Sequence, residues 1–196
     1  MKAKSIIFVL AVTVLVLTGC GGSGGAASLE QNGIILDKEQ HVSQVIIEPF
    51  DQSYYNTDEL RHQIEQKVSE TAGDADKPAA VLQEYELTQD QKLHVQIDFA
   101  TAQDYTAFNG KTLFAGTVNQ AIAAGYAIDG LIDTDKNAVG GDRLAELGEQ
   151  KIVIFEEALA VVTPGRILCT GPDVAPDGEK TAHKDTEGNL GIIVYE

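Results

Sequence analysis

The side chains best suited to chemistry form one short acidic segment, Asp133-x-Asp135-x-Asn137. Calcium is held by several converging oxygen atoms, and the first, third and fifth positions of an EF-hand loop are acids or Asn for that reason. The spacing therefore predicts a candidate calcium site at Asp133, Asp135 and Asn137.

The segment departs from the EF-hand pattern after these three residues. Ala138 stands where a glycine turns the loop, and Leu144 stands where a bidentate glutamate completes the site. The alternative is a polar turn that leads into a helix over residues 142–147. Calcium is therefore one of two interpretations, and no other cofactor is expected.

The second reactive side chain is Cys20, which ends a segment with the layout of a secretory signal. Lys2 and Lys4 supply positive charge, and residues 6–17 form an unbroken apolar run. A membrane-spanning helix needs about 20 apolar residues, so this run is too short to be one.

Leu17, Thr18, Gly19 and Cys20 resemble the lipobox of bacterial lipoproteins. The resemblance implies that residues 1–19 are a signal peptide and that the Cys20 thiol carries a lipid at the mature N-terminus. Two acyl chains hold a protein stably on a membrane, so we expect an anchor on the extracytoplasmic face of the cell membrane. The alternative is an ordinary signal whose cysteine pairs with Cys169, the only other cysteine.

The remainder of the chain is acidic and long enough for one domain. Thirty Asp and Glu face fourteen Lys and Arg, for a formal charge of −16, which excludes nucleic acid as a partner. Residues 20–28 are rich in glycine and serine and predict a flexible tether. Residues 29–196 then predict a single acidic domain, in which Cys169 is a small buried hydrophobic residue.

Helix signals occur at three places. Asn56 is an expected N-cap of a helix from Thr57 to about residue 71, with an apolar stripe at Leu60, Ile64 and Val68. Thr101 and Thr117 similarly begin two short helices that end at glycines.

Strand signals fill most of the remaining chain. Residues 93–99 alternate apolar and polar side chains, which places His94 and Asp98 together on the wet face as plain surface residues. Residues 34–47 predict a hairpin, residues 151–169 and 190–195 predict further strands, and residues 172–188 predict a long polar loop. The expected fold is α+β: antiparallel β-hairpins packed on one face by the amphipathic helix and the two short helices.

Several stretches, among them residues 50–55, 104–109, 113–118 and 192–196, are similar to uncharacterised surface lipoproteins of clostridial gut bacteria. The resemblance implies a Gram-positive surface and supplies no activity. We expect a non-enzymatic surface module that binds an envelope protein or a small ligand. The alternative is an envelope enzyme, metal-assisted, that uses the acids around Asp133.

Overall fold

A computed structural model describes residues 29–71 and 78–196. Over these residues the chain forms twelve strands and four helices. The helices are α1 (Thr57–Glu70), α2 (Ala102–Asn109), α3 (Val118–Ala123) and α4 (Gly141–Glu146). The strands are β1 (Gly33–Leu36), β2 (Val42–Pro49), β3 (Ala80–Leu87), β4 (Lys92–Phe99), β5 (Leu113–Thr117), β6 (Ile132–Asp133), β7 (Lys151–Phe155), β8 (Ala160–Val162), β9 (Ile167–Thr170), β10 (Ala175–Pro176), β11 (Thr181–His183) and β12 (Gly191–Tyr195).

The strands form two sheets. The larger has the order β10-β11-β8-β1-β2-β4-β3, and the smaller has the order β5-β7-β12-β9-β6. Among the described strands, β1 and β8 form a parallel pair, whereas the other pairs are antiparallel. The mixture of largely antiparallel sheet with a few helices confirms the α+β class.

The central strands of the smaller sheet, β7 and β12, are largely apolar and buried on both faces. All five residues of β12 are buried. Val153 and Ile193 contribute to the main core with the inner face of the larger sheet. Ile152 and Val194 point the other way, into a second core with α3 and the loop around Leu131. Continuous rather than alternating hydrophobicity is what a strand covered on both sides requires.

The helix signals are confirmed. The Asn56 side chain accepts hydrogen bonds from the backbone N–H groups of Asp58 and Glu59 at the start of α1. Thr101 caps α2, which ends at Gly110 in the left-handed region with φ 67°. Thr117 and Gln120 form a complete capping box on α3. A helix also follows the acidic segment, as the alternative interpretation predicted, at Gly141–Glu146.

Two expectations differ from the structure. Helix α1, through half-buried Leu60, Ile64 and Val68, packs on the main core together with α2, whereas Val118 of α3 lies in the second core. The expectation placed all three helices on one face of a single sheet. In the structure they pack on two separate cores. The polar stretch 172–188 also contains β10 and β11, because β11 pairs with β8 and β10 pairs with β11, and their short polar sequences do not reveal these partners. Among the four described helices, none combines the length and the apolar composition that a membrane span requires.

Candidate functional site

A groove of about 820 Å³ crosses the outer face of the larger sheet. Its floor follows one row of cross-strand neighbours through five strands: Val162 of β8, Ile35 of β1, Ser43 of β2, Asp98 of β4 and Val81 of β3. Side chains at paired positions point to the same side of a sheet, so these five side chains form a continuous strip. All five are half-buried.

The floor is apolar except at its centre. Ile35, Val81 and Val162 provide hydrocarbon surface, while Ser43 and Asp98 place a hydroxyl and a carboxylate side by side between them. Apolar surface with a few fixed polar groups is the usual composition of a small-ligand site, and the floor has it. The groove walls are polar and carry both acids and the lysines Lys38 and Lys180.

Asp98 is the charged group of this floor. Its carboxylate accepts a hydrogen bond of 3.0 Å from the Gln96 side chain. Within the described residues no Lys, Arg or His forms an ion pair with Asp98. A half-buried carboxylate on apolar surface attracts a cationic group, since the weakly solvated charge gains more from pairing than an exposed one.

The turn between β1 and β2 forms part of the groove wall. The Asp37 carboxylate accepts from the backbone N–H of His41 at 2.8 Å and lies 2.7 Å from its ring Nδ1. One ligand atom from each of Asp37, Glu39 and His41 lies within 4.8 Å of the other two. The hydrogen bonds between Asp37 and His41 close the turn. All three side chains line the groove and make its wall polar.

The predicted calcium residues form a compact turn of their own. Asp133 Oδ1 accepts from the backbone N–H groups of Asp135 at 2.9 Å and Asn137 at 2.8 Å. These backbone donors, Asn137 first, hold the pKa of the Asp133 carboxyl below its usual value. Asn137 turns its amide nitrogen toward Asp133, at 3.4 Å from both carboxylate oxygens.

This geometry makes Asp133 the centre of a hydrogen-bonded turn, as the polar-turn interpretation expects. None of these three residues lines the groove. Calcium binding at Asp133, Asp135 and Asn137, and metal-assisted catalysis there, remain predictions.

The two cysteines differ in status. Cys20 lies outside the described residues, so its lipidation remains a prediction. Cys169 is a free thiol, 2% exposed in the second core, as expected of a small buried hydrophobic residue. Burial raises its pKa to about 11, which keeps it protonated and unreactive at neutral pH.

The groove was not predicted from the sequence. Asp98 was expected on a wet face as a plain surface residue, and the alternation along β4 indicates no more than that. The floor brings together residues from five strands, two of which, β1 and β8, are far apart in the chain. The acidic character of the turn at Asp37 and Glu39 was visible in the sequence, but its position beside a groove was not.

The chain matches no protein-family model. Searches of curated proteins and of solved structures found no match either.

Proposed function

We propose that this protein is a lipid-anchored module of the outer cell surface that binds, without chemical conversion, a ligand carrying an ammonium group on an apolar body. The single observation that carries the binding part is the groove floor, in which Asp98 lies in one row with Ile35, Val81 and Val162. The anchor rests on the lipobox resemblance at Cys20.

The chemistry of the floor selects the ligand class. An alkyl chain that covers roughly 100 Å² of apolar surface gains about 2.5 kcal/mol from its removal from water. An ammonium group placed beside Asp98 adds a half-buried ion pair, and Ser43 offers a hydroxyl next to it. The negative charge of the whole chain, −16, favours the approach of cations and opposes anions.

The fold supports a binding role through rigidity. The floor runs from β8 to the edge strand β3 of a sheet whose inner face packs on the main core. Helix α1 lies against β3, and its Leu60, Ile64 and Val68 pack on the same core. Packing of the antiparallel hairpins under this helix is part of the proposal, because it fixes the spacing of the floor residues before any ligand arrives. A preformed site loses less entropy on binding.

Calorimetry with a matched pair of ligands tests the binding proposal. Hexylamine carries the expected charge and hexanoate carries the opposite charge on nearly the same apolar body. We expect hexylamine to bind with a Kd on the order of 1 mM, the range for a ligand of so few atoms, and hexanoate not to bind in the groove.

Variants locate the binding. Ser43→Trp fills the centre of the floor and should abolish binding, whereas Asp98→Asn should weaken it about tenfold through loss of the ion pair. His94→Trp is the matched control, because His94 lies on the same face of β4 but does not line the groove. Equal affinity of the Ser43→Trp and His94→Trp variants for hexylamine would refute the proposed site.

The anchor is tested separately by metabolic labelling with a radioactive fatty acid. The wild-type chain should take up label, and Cys20→Ala should abolish it and leave the protein soluble or as an unprocessed precursor. Incorporation into the Ala variant as strong as in wild type would contradict the anchor and would leave the groove proposal intact.

A further inference from the structure

A second, smaller cavity of about 300 Å³ lies where the turn between β1 and β2 meets the start of β7 and the end of β12. The turn between β1 and β2 separates it from the groove, and Lys38 and Pro164 line both. The lining residues are Lys38, Gln40, Lys151, Pro164, Gly165, Tyr195 and Glu196. Four of these residues, Lys38, Gln40, Lys151 and Tyr195, carry side-chain hydrogen-bond donors, against one acid, Glu196.

Two lysines provide the positive charge of the cavity. Lys151 is paired with Tyr195 across β7 and β12, so both side chains lie on the same side of the smaller sheet. Neither Lys38 nor Lys151 lies within 4.0 Å of a carboxylate in the described part of the chain. The Glu196 carboxylate is already held by Arg166 at 2.7 Å. Two uncompensated ammonium groups at one cavity are unusual in so acidic a chain.

A buried hydroxyl without a partner lies at the same cavity. Tyr195 is 1% exposed, and its hydroxyl is the one buried side-chain polar atom without a hydrogen bond among the described residues. Burial raises the pKa of the Tyr195 hydroxyl, and the nearby Gln40 amide lowers it by a smaller amount. The two groups do not form a hydrogen bond. Gln40 itself is held only by a long contact of 3.4 Å from Nε2 to the Gly116 carbonyl. A buried polar group without a partner in a native protein calls for an explanation, and a bound ion is one of the known explanations.

We propose that this cavity binds the anionic end of a small molecule, a phosphate or a carboxylate. The oxyanion would lie between the ammonium groups of Lys38 and Lys151 and accept from the Gln40 amide. It would also supply the acceptor that the Tyr195 hydroxyl lacks. Charge-assisted hydrogen bonds of this kind are the strong ones, and lysine binds oxyanions as a compact positive charge. The site lies next to the amine-binding groove and shares Lys38 and Pro164 with it, but its other lining residues are different.

Titration of the full ¹⁵N-labelled chain with inorganic phosphate at constant ionic strength tests this proposal, and acetate titrated in parallel distinguishes phosphate from carboxylate. We expect the backbone amides of Gln40, Lys151 and Gly165 to shift and to saturate in the millimolar range with at least one of the two anions. Lys151→Met should weaken the apparent affinity about tenfold.

Lys136→Met is the matched control, because Lys136 is an exposed lysine on a different loop and its replacement changes the net charge equally. It should change the affinity less than twofold. If Lys151→Met does not fold, Lys38→Met at the exposed rim gives the same comparison. Two results would overturn the proposal, because each would show only diffuse association of anions with lysines. One is amide shifts that do not saturate with either anion. The other is an equal loss of affinity in the cavity variant and in Lys136→Met.

Discussion

Replacement of Tyr195 by Phe should stabilise the protein, although Tyr195 is one of its most deeply buried side chains. The ring contributes to the main core and is 1% exposed, while its hydroxyl has no hydrogen bond among the described residues. Phe keeps the ring and removes only the unpaired polar atom. Desolvation of an unpaired hydroxyl costs about 1–3 kcal/mol, so the variant should recover about 1 kcal/mol of this cost.

Tyr105→Phe is the matched control and should act in the opposite direction. Tyr105 is also 1% exposed in the main core, but its hydroxyl donates to the Glu157 carboxylate. Burial, followed by that hydrogen bond, raises the pKa of Tyr105 far above its usual value. A hydrogen bond to a charged group contributes about 1.5–3 kcal/mol, so the same substitution should destabilise here.

Urea unfolding in a buffer without phosphate or carboxylate measures both free energies of unfolding, and the absence of anions keeps the small cavity empty. In thermal unfolding, 1 kcal/mol corresponds to a Tm change of about 2–4 °C for a domain of this size. A loss of 1 kcal/mol or more in Tyr195→Phe would refute the reasoning, because it would mean that the hydroxyl has a partner.

Three further predictions follow from individual contacts. Cys169 should not react with a thiol reagent in the native state at pH 7 and should react fully in denaturant, because burial raises its pKa to about 11. Gly191→Ala should cost about 1–3 kcal/mol in urea unfolding, because the added Cβ would lie 2.6 Å from the Phe155 ring, whereas Gly178→Ala, with open space around it, should be close to neutral. The free energy of unfolding should fall as the pH drops from about 4.5, because the pKa values of Glu156 and Asp133 are lowered in the folded protein and the unfolded chain therefore binds protons at a higher pH. Glu156→Gln should reduce this pH dependence in urea unfolding.

Local structure could be predicted where the sequence itself supplies the stabilising contact. Asn56, Thr101 and Thr117 each satisfy backbone donors a few residues away, so their helices begin where the sequence indicates. The alternation in β4 likewise identified its buried face, because that pattern depends only on the two-residue period of a strand.

Features that depend on distant pairing could not be predicted. Val162 joins the groove floor only because β8 pairs in parallel with β1, and short segments do not reveal their partners. Tyr195 and Lys151 meet across β12 and β7, so the small cavity also depends on contacts that no local pattern encodes. The spacing of Asp133, Asp135 and Asn137 allows either a calcium site or a polar turn. In the structure the Asp133 carboxylate accepts hydrogen bonds from the backbone of the other two residues, which closes a turn.

The most direct test of the central claim is the mapping of hexylamine binding on the ¹⁵N-labelled chain. We expect hexylamine to cause saturable shifts of the backbone amides in the row that forms the groove floor, Ile35, Ser43, Val81, Asp98 and Val162, and hexanoate to cause no comparable response. Shifts confined to other surfaces, or an equal response of this row to both ligands, would contradict it.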